Sequence, residues 1–74
     1  MRAYVLITIE AGKGTAIQNT LREAGVNQVD QVAGTYDVVA VIDSDDPRAI
    51  GDTVINTIQR TDGVVSTVTL LTIG

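Results

Sequence analysis

The residues best suited to chemistry lie in Gly34-Thr35-Tyr36-Asp37, where a glycine turn runs into the apolar stretch Val38 to Ile42. Glycine permits positive φ or close backbone approach, Tyr36 offers a flat apolar body with a polar tip, and Asp37 can accept hydrogen bonds from an ammonium group. The same residues also read as an ordinary hairpin turn entering a central strand, since Gly and Asp are default turn residues. Thr67 and Thr69 form a second polar pair with two readings. They are either β-formers on a final edge strand, or they join Asp37 in a polar pocket at a junction between chains.

Other chemistry finds little support. Nucleophilic and general acid-base catalysis draw on His, Cys or a carboxylate pair in a dry cleft, and the chain has neither His nor Cys. Ser44 and Ser66 have no evident base, and Lys13, the single lysine, sits in a glycine-rich loop. No enzymatic activity, metal site or cofactor is expected. Gly12-Lys13-Gly14-Thr15 has the look of a phosphate loop but departs from G-x-x-x-x-G-K-[ST], because Ile7 stands where the first glycine belongs and Gly14 follows the lysine. An exposed helix N-terminus there could hold an anion; a flexible connection is the simpler reading. Asp43, Asp45 and Asp46 fail the spacing of a calcium loop and suit helix capping and dipole compensation instead.

The chain has 74 residues, a formal charge of −4 and one Lys beside four scattered Arg. No basic stripe is available for phosphates, and Tyr4 and Tyr36 are the only aromatics, so direct nucleic-acid binding is not expected. The apolar runs are too short to span a bilayer and no leader pattern precedes them, which predicts a soluble, cytoplasmic protein. A single domain over 1–74 buries only about 60% of its unfolded surface at this size. With no disulfide available, oligomerisation is the common way to bury more.

The elements that must position these groups follow from periodicity. Ala3 to Ile9 reads as a strand, and Ala16, Ile17, Leu21 and Ala24 recur at helical spacing before Gly25, a natural C′ residue. Gln28 to Ala33 reads as a polar edge strand and Tyr36 to Ile42 as a strand buried on both faces. Asp46 and Pro47 mark the N-cap and first position of a helix bearing Ile50, Val54, Ile55 and Ile58, and Val64 to Ile73 forms a last, Thr-rich strand. An internal echo supports this parse: Ala16-Ile17 and Thr20-Leu21 reappear as Ala49-Ile50 and Thr53-Val54, at the offset that aligns Val5 to Ile9 with Val38 to Ile42.

Two β-α-β halves predict an α+β, ferredoxin-like βαββαβ sandwich. Its four-stranded antiparallel sheet carries both helices on one face, with the first and third strands central. The other face is left bare, and Tyr4, Leu6, Val38, Ala40, Val68 and Leu70 or their alternates are expected on it. A contiguous apolar patch of this kind marks a partner surface, so a homodimer pairing sheet to sheet is expected.

Gly34-x-Tyr36-Asp37 before an apolar strand, followed by Asp62-Gly63-Val64-Val65-x-Thr67-x-Thr69, resembles the G-x-Y-D turn and closing strand of the Lrp/AsnC ligand-sensing domain, also called the RAM domain. The resemblance covers essentially the whole chain and looks like a stand-alone form without the helix-turn-helix domain of full-length members. It implies face-to-face dimers that assemble into rings such as octamers or decamers. It also implies a free amino acid or similar small effector bound between dimers, with Gly34, Tyr36 and Asp37 lining the site and Thr67 and Thr69 contributing. Mixed assembly with a helix-turn-helix relative is the output this suggests. A purely structural oligomerisation module and an ACT-like sensor are the alternatives. The dimeric α+β barrel enzymes that share this frame usually use a pocket His, absent here.

Overall fold

In the computed structural model, which describes residues 1–74, the alternation of the first apolar stretch becomes strand β1 (Arg2–Ile9), with Ala3, Val5 and Ile7 fully buried. Helix α1 (Gly14–Glu23) buries Ile17 and Leu21, four residues apart on one stripe, and leaves Ala16 and Ala24 exposed. The edge strand β2 (Gln28–Gln31) is shorter than expected, and β3 (Val38–Asp43) begins two residues later than expected, so Tyr36 and Asp37 precede it. Helix α2 (Pro47–Thr53) starts as its sequence dictates: the Asp46 carboxylate accepts the Arg48 N–H at 2.9 Å and Pro47 follows it. The helix then widens into a π-helical segment, Val54–Ile58, and the Gln59 N–H reaches the Val54 carbonyl, five residues back, at 2.8 Å. Ile50, Val54 and Ile58, spaced by four, would drift around a 3.6-residue helix; the wider turn keeps all three in the core, while Ile55 is exposed. Strand β4 (Val64–Leu71) completes the βαββαβ order. No helix is long and apolar enough to cross a membrane.

The sheet is antiparallel throughout, in the order β2-β3-β1-β4, which puts the first and third strands at the centre. Both helices lie on one face, since Ile17, Leu21, Ile50, Val54 and Ile58 share a single core with Ala3, Val5, Ile7, Val29, Val38, Ala40 and Ile42. This is the ferredoxin-like arrangement. Two residues change sides from the expectation. Register pairs Val5 with Ala40 and Ile7 with Val38, so Val38 and Ala40 face the helices, and Val39 and Val41 take their place on the bare face. The β3 sequence is apolar on both faces, so only pairing with β1 settles its phase.

The bare face therefore carries Tyr4, Leu6, Val39, Val41, Val68 and Leu70. Tyr4, Val68 and Leu70 stay 36%, 42% and 49% exposed. Polar pairs frame this centre. Arg2 and Asp43, cross-strand partners, form a forked ion pair at one end, with Nε–Oδ1 2.8 Å and Nη2–Oδ2 3.2 Å. The Arg2 guanidinium holds the Asp43 carboxyl below the usual carboxylate range. Thr8 and Ser66 hydroxyls bond each other at the other end.

The turn into β4 depends on Gly63. Its φ is +93°, and a Cβ there would sit 2.9 Å from Cβ and Cγ of Lys13 and 3.2 Å from Cδ1 of Ile17. Its carbonyl also accepts the Glu10 N–H at 2.8 Å, which ties the β1–α1 loop to the start of β4. Gly63→Ala is expected to destabilise the fold by about 1–2 kcal/mol from the left-handed backbone alone. Urea denaturation with an unchanged m-value checks it.

Candidate functional site

Asp37 is held where three strands meet. Its carbonyl accepts the Val32 N–H at 2.9 Å, which closes the β2–β3 turn, and its own N–H donates to the Ile7 carbonyl at 3.0 Å. Its carboxylate then reaches across to β1, Oδ2 accepting the Ile9 N–H at 2.9 Å. That bond falls where β1 changes register against β4: Thr8 opposes Ser66, whereas Ile9 opposes Val64. A bulge disturbs the local ladder, and here a side-chain oxygen receives one of its N–H groups. The second oxygen, Oδ1, has no protein partner.

Asp37 also lines a cleft of about 330 Å³. Asp37, Val32 and Gln31 form one wall, and the β1–α1 connection forms the other with Ile9, Glu10, Ala11, Gly12, Gly14 and Thr15. Helix α1 opens onto it with no side-chain cap, and its first-turn N–H groups have no acceptor within the helix. Gly14 permits a close approach: a Cβ there would collide with the carboxamide oxygen of Gln31. The Gln31 amide nitrogen donates to Thr15 Oγ1 at 3.3 Å and to Gln18 Oε1 at 3.0 Å. Gln18 and Arg22 both donate to the Val29 carbonyl, at 2.8 and 3.1 Å, which ties α1 to β2.

Of the five residues singled out from sequence, Asp37 alone lines this cleft. Gly34, at φ +151°, and half-buried Tyr36 sit on the turn leading to it. Thr67 and Thr69 lie elsewhere within the chain. They oppose Ile7 and Val5 on the far side of β1, two strand spacings or about 9.6 Å from the β3 position. Thr67 Oγ1 accepts from Gln59 Nε2 at 2.9 Å and borders a separate hollow. Glu10 and Gln31 escaped the sequence reading, whereas Gly14 and Thr15 read there as a helix start able to hold an anion. Gly12-Lys13-Gly14 was visible as a flexible connection, but its position opposite Asp37 follows only from β1 lying beside β3. Lys13 itself turns away, its Nζ 3.0 Å from Asp62, whose carboxylate holds the ammonium pKa above its ordinary value. A larger hollow lies against Arg2 and Asp43, where cation and anion already satisfy each other.

A family model described as Lrp/AsnC ligand binding domain matches residues 2–74. Among solved structures, the chain is similar to TTHA0845 from Thermus thermophilus, with TM-score 0.92 and 32% identity over 99% of this chain and 92% of that one. It is also similar to AsnC of E. coli, with TM-score 0.90 and 21% identity over 99% of this chain and 50% of that one. The transcriptional regulator NMB0573 from Neisseria meningitidis, solved as an L-Met complex, gives TM-score 0.82 and 17% identity over 99% and 49%. The chain spans about half the length of these last two, and at such identities the likeness is one of fold. A sequence search of the curated proteins finds no match.

Proposed function

Because the chain belongs to the Lrp/AsnC ligand-binding domain family, we propose that it is a non-enzymatic module that binds a free amino acid or similar small effector in the Asp37 cleft and self-assembles through its bare sheet face. The observation that carries this reading is the pairing of opposite needs across one cleft. Asp37 Oδ1 is an open acceptor for an α-ammonium group, and the uncapped start of α1 offers N–H groups and a positive dipole end to an α-carboxylate. The L-Met complex of the Neisseria regulator supports the ligand class. Gly34 and Tyr36 shape the turn, and Thr67 and Thr69 enter the site from a neighbouring dimer in a ring assembly. The regulatory output is mixed assembly with a helix-turn-helix relative.

A thermal-shift screen against the twenty amino acids, read beside mass by light scattering, tests this. An effector at 100 times its Kd stabilises the protein by roughly 2.7 kcal/mol, so a selective upward shift is expected. Indifference to all twenty overturns the amino-acid reading and leaves a different small-molecule ligand or the purely structural module, the latter favoured by the existing Asp37–Ile9 bond.

A further inference from the structure

We infer that the cleft prefers an amino acid with a cationic side chain, an inference that rests on the effector reading above. Apart from the first-turn N–H groups of α1, the open side-chain valences on its walls are acceptors. Both hydrogens of the Gln31 amide nitrogen are engaged, by Thr15 Oγ1 and Gln18 Oε1, so Gln31 has only its carbonyl oxygen to offer. That oxygen rests against Gly14 and accepts no hydrogen bond from the protein. Asp37 Oδ1 is likewise open, and Glu10, exposed on the facing loop, takes part in no ion pair.

The nearby cations are committed elsewhere. Lys13 is hydrogen-bonded to Asp62 and feels Glu10 only as its weakest electrostatic neighbour, and Arg22 is bound to the Val29 carbonyl. Two carboxylates, Glu10 and Asp37, thus line the cleft with no side-chain cation among its walls. The positive end of α1, equivalent to roughly half a charge, is matched by the ligand's own α-carboxylate. An α-ammonium group meets one of the two acids, and the other is left for a second positive group. Ile9, Ala11 and Val32 supply apolar surface in the same cleft, suited to the methylene stem that carries a lysine or arginine head.

The test is isothermal titration of the full chain with L-lysine, L-arginine, L-methionine, L-norleucine and L-glutamate, repeated on Glu10→Gln. L-lysine or L-arginine is expected to bind about tenfold more tightly than L-methionine or L-norleucine, and L-glutamate more weakly than either, from partly exposed ion pairs. Glu10→Gln should reduce that cationic preference, read as the ratio of L-lysine to L-methionine affinity within the variant, by roughly fivefold. Tighter binding of L-methionine or L-norleucine than of both cationic ligands, or a preference untouched by Glu10→Gln, overturns this inference while the effector reading stands. Binding of none of the five, with no shift from any other amino acid, overturns both.

Discussion

Val68→Asp is expected to yield a folded monomer. Val68 lies on the bare face across from Leu6 and is 42% exposed in the single chain, so an aspartate there keeps its water and the fold survives. In a face-to-face pair the same position is dry, and symmetry buries one unpaired carboxylate from each copy. An uncompensated buried charge costs about 3–5 kcal/mol, so the dimer Kd should rise by roughly a thousandfold or more. Sedimentation at micromolar concentration reads the mass, and circular dichroism confirms that the chain remains folded. Retention of the parental mass would remove the bare face as the assembly surface. The framing of its apolar centre by Arg2–Asp43 and Thr8–Ser66 is the pattern of an interface core within a polar rim.

The second large effect is at Asp37, where two substitutions separate two roles. Asp37→Ala removes the acceptor of the Ile9 N–H, a partly buried, charge-assisted bond. A loss of about 1.5–3 kcal/mol is expected, which lowers Tm on the order of 10 °C in a domain of this size. A failed ligand response in that variant would therefore be ambiguous. Asp37→Asn keeps a side-chain oxygen for Ile9 and removes the charge that an ammonium group would meet. It should hold most of the stability and abolish the response to amino acids, as differential scanning fluorimetry with and without ligand can show. An Asp37→Asn protein that responds like the parent would take the carboxylate out of the binding site.

The frame of this molecule is legible in its sequence because its signals are local. The glycine break after β1, the Asp46-Pro47 helix start and the Asp62-Gly63 turn each act within a few residues, and the element order and central strands follow from them. The phase of β3 is a different matter. Val38 to Ile42 is apolar at every position, so alternation carries no information there, and the choice of Val39 and Val41 for the bare face is made by long-range pairing with Tyr4 and Leu6. The π-helical segment left only a faint trace, the spacing of four between Ile50, Val54 and Ile58.

The candidate site divides in the same way. Its Asp37 wall is a turn with recognisable chemistry, whereas Glu10 and Gln31 are ordinary surface residues until β1 pairs with β3 and α1 packs on β2. Thr67 and Thr69 share a face of β4, as alternation requires, but β1 separates that strand from Asp37.

The pairing of β1 with β4 also sets an order of events during synthesis. Arg2 and Thr72 are joined through both backbones, at 2.9 Å from the Thr72 N–H to the Arg2 carbonyl, so the sheet's first strand in sequence is completed by its fourth. Translation at about 5–20 residues per second leaves β1 several seconds without that neighbour. During this interval β3 can already pair with one edge of β1, while the other edge and the side chains of Tyr4 and Leu6 remain open. Contacts so distant in sequence slow folding, and until β4 is in place the open edge of β1 is free to meet wrong partners.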